Sequence, residues 1–250
     1  MDKAATFRAL HEAEPFVIPN PWDAGAARVL EQLGFKALAT TSSGFAFTLG
    51  RRDGGATLGE VIAHVGVLTS ATDLPVSVDL EDGKDDPARA IAGVAEAGAV
   101  GASIEDSDGE GLYDLDVALE RLQAALEAAR ALDFPFTLTA RAEGQLRGGP
   151  GLDDTIARLH AYERAGVDVL FAPGLRTIDE VRAVCGAVSK PVNVLGHKGL
   201  VLSEIVQAGA QRISVGGALT WVATSALTHA ATRLRDGDLA VLGGRPPKLG

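Results

Sequence analysis

Three segments of this chain are apolar and then abruptly charged. Val76-Ser77-Val78 runs into Asp79, Glu81 and Asp82, Ala102-Ser103-Ile104 into Glu105 and Asp106, and Leu138-Thr139-Ala140 into Arg141 and Glu143. Short apolar runs suit buried strands, and a buried strand gains nothing from a carboxylate at its tip. Stripping water from an unpaired ion costs several kcal/mol. Three such tips point to one shared polar pocket. A carboxylate-rich pocket suits Mg²⁺ or Mn²⁺, which bind few carboxylates directly and keep several waters. Arg141 suits an anionic substrate, because a guanidinium matches a carboxylate in bidentate fashion. Asp79 and Glu81, two residues apart, share one side of a strand. Asp53, in Arg51-Arg52-Asp53-Gly54-Gly55, is placed to reach the same pocket. A plug of ion pairs, such as Arg141 with Glu105, is the structural alternative.

Further polar residues fall nearby. Thr40-Thr41-Ser42-Ser43-Gly44-Phe45 follows an apolar run and offers hydroxyls and backbone N–H groups for a carboxylate or phosphoryl group, although it is also ordinary loop composition. Asn193 lies within a strand-like stretch, and His197-Lys198 follows it. Tyr113 offers a proton from a short loop, or simply anchors that loop. Arg147, in a glycine-rich segment that reads as a lid, is either a second carboxylate contact or a solvated side chain. His11, His64, His160 and His229 fall on expected helices and read as surface residues, and Cys185 as a small core residue.

The elements that must position these groups repeat as strand then helix. Strands are expected at 16–19, 36–41, 75–80, 100–105, 136–142, 167–172, 191–195 and 212–216, short and apolar on both faces as parallel strands under helices are. Asn20-Pro21 and Asp86-Pro87 read as helix starts, and Thr57-Leu58-Gly59-Glu60 and Thr177-Ile178-Asp179-Glu180 as capping boxes. Gly34, Gly98, Gly166 and Gly209 each stand where a helix stops and a strand soon begins. Eight such units predict an α/β fold, a single-domain (β/α)8 TIM barrel over 1–242 with a tail at 243–250. No Gly-x-Gly-x-x-Gly follows the first strand, which disfavours a doubly wound sheet.

Composition narrows the partners. A formal charge of −10 argues against nucleic acid and anionic membranes. The single cysteine excludes an internal disulfide and fits a reducing cytoplasm. No apolar run approaches the ~18 residues of a membrane span, and no leader is evident.

In order along the chain, Asn20-Pro21-Trp22-Asp23-Ala24, Ser42-Ser43-Gly44, Val78-Asp79-Leu80-Glu81-Asp82-Gly83, Ile104-Glu105-Asp106 and Thr139-Ala140-Arg141 resemble the isocitrate lyase/phosphoenolpyruvate mutase superfamily. The resemblance implies a bound Mg²⁺, a small 2-oxo- or 2-hydroxycarboxylate and an enolate. It implies that Ser42, Ser43, Gly44 and Phe45 hold the substrate carboxylate with Arg141, and that Asp79 anchors the metal with Glu81, Asp53 and Glu105 around it. Trp22 and Asn193 would wall the pocket. It also implies a homo-oligomer, a dimer or tetramer, with the helix near 218–235 exchanged between subunits.

The departures are specific. The lyases carry Lys-Lys/Arg-Cys-Gly-His in the loop after Ile-Glu-Asp, and here that loop reads Ser107-Asp108-Gly109-Glu110-Gly111-Leu112-Tyr113-Asp114. Without that cysteine, the expected catalytic set is Arg141 and Glu105, with Tyr113, His197, a loop residue or water returning the proton to the enolate. The expected function is a Mg²⁺-dependent lyase-type enzyme that cleaves a C–C bond, or an oxaloacetate-type hydrolase or decarboxylase. Phosphoenolpyruvate mutase or phosphonate-type P–C chemistry and a non-catalytic carboxylate-binding barrel are the alternatives.

Overall fold

In the computed structural model, residues 2–244 are described. Most of the expected tail, 245–250, lies outside the described residues. Among them are eight parallel strands: β1 Phe16–Ile18, β2 Leu38–Ala39, β3 Val76–Asp79, β4 Gly101–Glu105, β5 Thr137–Arg141, β6 Val169–Phe171, β7 Val192–Leu195 and β8 Arg212–Ser214. They pair in the order β1-β8-β7-β6-β5-β4-β3-β2. A hydrogen bond from Ala39 N to Pro19 O, 3.1 Å, draws β2 toward β1 and nearly closes the barrel. The architecture is the expected (β/α)8 barrel.

Helices α1 Lys3–Leu10, α2 Ala24–Gln32, α3 Ser42–Thr48, α4 Leu58–Ala71, α5 Pro87–Glu96, α6 Leu115–Arg130, α7 Leu152–Ala165, α8 Ile178–Ala187, α9 Leu202–Gln207 and α10 Ala218–Arg235 accompany the strands. Both capping boxes form, Thr57 with Glu60 and Thr177 with Glu180. Asp86 caps α5 with Pro87 at its first turn. All four helix-stop glycines take positive φ, from 85° at Gly34 to 106° at Gly209, a backbone conformation that residues with a Cβ rarely adopt.

Three local expectations change. Asp23, not Asn20, caps α2. Asn20 is buried instead, donating to Thr40 O and accepting from Val215 N, both at 2.9 Å, so it ties β8 to the strands beside β1. Ser42-Ser43-Gly44-Phe45 is not a loop but the first turn of α3, capped by Thr41. His11 is buried, and the His64 ring stacks on Phe45 at 3.9 Å. Burial pushes their pKa values down to about 3 and about 4. Helical placement alone does not put an imidazole at the surface when its face of the helix packs on an aromatic ring.

The core lies between the barrel wall and the helices, with Ile91, Leu138, Leu159 and Leu170 fully buried. No helix among the described residues is long and apolar enough to cross a membrane.

Candidate active site

The C-terminal ends of β3, β4 and β5 bring their charged residues together. Glu105 and Arg141 are register partners across β4 and β5. Arg141 Nη1 lies 3.1 Å from Glu105 Oε2 and 3.4 Å from Asp79 Oδ1, while Nε donates to Glu143 Oε1. Asp79 is fixed by its surroundings: its Oδ2 accepts from Ser42 N at 3.2 Å, and its own N–H donates to Thr40 Oγ1 at 2.9 Å. The guanidinium is hard to deprotonate here, because three carboxylates oppose the cost of burial. Glu105 shifts the other way. Burial first, then repulsion from Glu143 and Asp79, pushes its pKa up to about 8 against the pull of Arg141 and Arg147.

Two cavities meet at this cluster and share Ser42, Asp53 and Arg141. One, about 190 Å³, descends into the barrel past Ser43, Asp79 and Asn193. The other, about 690 Å³, opens outward past Glu81, Lys84, Glu105, Tyr113 and Arg147. The Ser43 N–H has no partner among the described residues, whereas the Gly44 and Phe45 N–H groups are engaged by Thr41. Trp22 packs against Gly44: a Cβ there would meet Trp22 Cβ at 3.2 Å.

Among the described residues no three His, Cys, Asp or Glu side chains converge as a metal-holding group. Glu81 is ion-paired with Lys84, Arg141 stands between Asp79 and Glu105, and Asp53 sits exposed at the rim. This donor set does not make a cage of four direct carboxylates. It fits an ion that takes one carboxylate, Asp79, and reaches the others through water, as Mg²⁺ does. Glu105, held partly neutral by burial and by neighbouring carboxylates, would gain from an added positive charge.

The proton-donor candidates stand differently. Tyr113 lines the outer cavity, but its hydroxyl donates to Asp82 Oδ2 at 2.7 Å, and burial with that bond pushes its pKa up to about 12. His197 is exposed, lines neither cavity, and its Nδ1 accepts from Gly199 N at 3.0 Å. Cys185 is half-buried in α8, where burial pushes its thiol up to about 11.

Four more side chains take part in the cluster. Glu143 is fully buried and pairs with both Arg141 and Arg147. Arg147 reaches from its loop to Glu105 at 3.8 Å and donates to Gly109 O at 2.9 Å, tying the glycine-rich loop to the short one. Lys84 pairs with Glu81 and turns its ammonium toward the carboxylates. Asp106 works behind the site: it accepts from Glu143 N, Arg158 and Tyr162 and so holds Glu143 in place. The sequence pointed to three of them, Asp106 and Glu143 as second charges on the β4 and β5 tips and Arg147 as a carboxylate contact in its loop, while Lys84 carried no signal.

Comparison with known proteins places this geometry. The family model for phosphoenolpyruvate phosphomutase matches residues 7–235. A Burkholderia cenocepacia J2315 structure, named only to the level of lyase/mutase, is 50% identical, with a TM-score of 0.94 over 98% of this chain and 92% of that one. Oxaloacetate decarboxylase of Rhodopseudomonas palustris (strain HaA2) is 31% identical over 94% of this chain and 86% of its own. An oxaloacetate acetylhydrolase, solved with the inhibitor 3,3-difluorooxalacetate, is 27% identical, with a TM-score of 0.88 over 97% of this chain and 89% of that one.

Proposed function

The chain belongs to the phosphoenolpyruvate phosphomutase family, and from that premise we propose that it is a Mg²⁺-dependent lyase-type enzyme acting on a small 2-oxo or 2-hydroxy carboxylate through an enolate. The observation that carries this reading is Arg141 standing between Asp79 and Glu105 at the junction of two cavities, one of which runs on to Ser43 and Asn193.

Substrate carboxylate would be received by the Ser43 N–H and hydroxyl and by Arg141. Asp79 would hold the divalent ion, with Asp53, Glu81 and Glu105 in its water shell, and that ion would supply electrophilic stabilisation of the substrate oxygens. Formal charge supports it: of the residues lining the two cavities, eight are carboxylates and six are Arg or Lys, which leaves −2. Negative charge that develops on the 2-oxygen when a bond at C3 breaks would be opposed by Arg141, held rigid by three carboxylates before substrate arrives. The proton returned to the enolate would come from Tyr113, from water in the outer cavity, or from His197 after loop movement. Tyr113 is the better placed of the two side chains.

Relatives named for oxaloacetate decarboxylation and hydrolysis support that chemistry, and phosphonate chemistry stands as the second reading, since a Burkholderia cenocepacia structure named to the level of phosphonomutase is 36% identical over 93% of the chain. A cytoplasmic homo-oligomer completes the reading. Of α10 only Thr220 is buried, and Trp221, Val222 and Leu227 are exposed, as in a helix that packs on another subunit. The test is turnover of oxaloacetate, pyruvate-derived hydroxy acids and acyl malates by purified protein with Mg²⁺. Activity that Asp79→Asn abolishes and Arg141→Lys lowers by about 10²- to 10³-fold supports the enzyme. Metal-dependent binding of these acids with no turnover of any of them favours the binding barrel instead.

A further inference from the structure

Barrel interiors are ordinarily filled by branched apolar side chains. Below its carboxylates this one carries Ser77, Ser103, Thr139, Asn193 and Ser214 on five strands, and beneath them Arg212 at the start of β8. Arg212 is 5% exposed. Its Nε donates to Asn193 Oδ1 at 2.9 Å, its Nη2 to Thr139 Oγ1 at 3.0 Å, and its Nη1 to His11 Nε2 at 3.1 Å. The His11 tautomer follows from its other side: Nδ1 lies 2.9 Å from Phe7 O, which can only accept, so Nδ1 carries the proton and Nε2 is a bare acceptor. All three partners of Arg212 are therefore neutral.

No carboxylate among the described residues pairs with Arg212, and burial alone acts on its pKa, pushing it down to about 9. A guanidinium has five N–H donors, of which these contacts use three. Arg212 lines the same 190 Å³ cavity as Ser43, Asp79, Arg141 and Asn193, and the hydroxyl residues above it are small enough to leave that cavity open to its floor. An unopposed buried cation is costly, and the cost is relieved when an anion arrives.

We infer that Arg212 is the floor of an anion subsite that receives the second carboxylate of a small dicarboxylate substrate, whose first carboxylate is held above by Ser43 and Arg141. This rests on the proposed function and assigns the residue that receives the second carboxylate of an oxaloacetate-like substrate. Asn193 is positioned by the same arginine: its Oδ1 accepts from Arg212, so its Nδ2 faces Ser214 Oγ at 2.9 Å.

The test is calorimetric binding of malonate and of pyruvate to the full chain with Mg²⁺ present. Wild type is expected to bind malonate about tenfold tighter than pyruvate, and Arg212→Met to bind the two acids within about twofold of each other. Ser103→Val leaves Arg212 in place but narrows the cavity above it, and is expected to lose the preference too, which guards against misfolding of the arginine variant. Equal binding of the two acids by wild type, or a preference that survives in both variants, overturns the subsite. Failure of wild type to bind either acid overturns the proposed function instead.

Discussion

Glu105 and Arg141 are opposite one another in the β4–β5 register, and their side chains meet at 3.1 Å. Thirty-six positions of chain separate two groups whose charges are useful only together. Strand register, rather than local sequence, makes the pair, and the same register sets Arg141 within reach of Asp79 two strands away.

Replacing Arg141 by lysine keeps a positive charge but loses the planar fork that spans Asp79, Glu105 and Glu143. Turnover should fall by about 10²- to 10³-fold, the scale on which a single oxyanion-stabilising donor acts. Steady-state kinetics with oxaloacetate decide it, with circular dichroism to show a retained fold. Arg141→Ala should also unfold more readily, by about 3–5 kcal/mol, because buried Glu105 and Glu143 and half-buried Asp79 are left facing one another.

The raised pKa of Glu105 makes metal-free stability depend on pH. Its folded value is about 8 against an ordinary value of 4.5, so between those limits the folded state binds the extra proton. The stability it contributes is present in full below 4.5 and is lost as pH rises through 8, at no more than about 1.4 kcal/mol per pH unit. Thermal melts in chelator should therefore show Glu105→Gln gaining on wild type as pH climbs from 5 to 8. Parallel curves for the two proteins would refute it.

Gly44 is required by close approach rather than by its backbone angles. A Cβ there would lie 2.6 Å from Thr41 Cγ2 and 2.7 Å from Thr220 Oγ1, and neither neighbour is the free end of a long chain. Gly44→Ala should cost about 1–3 kcal/mol and shift α3 with its Ser43, weakening carboxylate binding. Urea melts read the first effect and pyruvate titration the second. A variant as stable as wild type would mean that α10 can give way.

Much of this was legible in the sequence, for physical reasons that vary by residue. Strand tips that turn from Val and Ile to Asp, Glu and Arg announced the site because burial makes such charges expensive, and capping boxes at Thr57 and Thr177 fixed two helix starts. Arg212 was illegible: one charge at the head of an apolar strand reads as a solvated edge until the barrel closes round it. His11 and His64 were misread because helix position says nothing of what packs on the helix. Asn20 looked like a cap, since Asn-Pro favours one, but tertiary partners claimed both ends of its amide.

The last helix carries the remaining prediction. Across α10 and the turn after it, Val222, Leu227, Leu239 and Leu242 are each more than 60% exposed, and Trp221, 44% exposed, packs edge-on to Phe47 at 5.5 Å. Burying such side chains is worth about 1.5–3 kcal/mol each, so a monomer leaves a substantial association energy unused. In an oligomer this face is covered, and because Thr220 touches the Gly44 position, the subunit contact lies close to the substrate end of the barrel. Light scattering on a sizing column should give a dimer or tetramer for wild type. Val222→Asp and Leu227→Asp should each shift it toward monomer, since an unpaired charge at a buried contact is costly. Substrate affinity should fall along with assembly, through α3. A monomeric wild type at micromolar concentration, or a full-size assembly from both variants, would refute the contact.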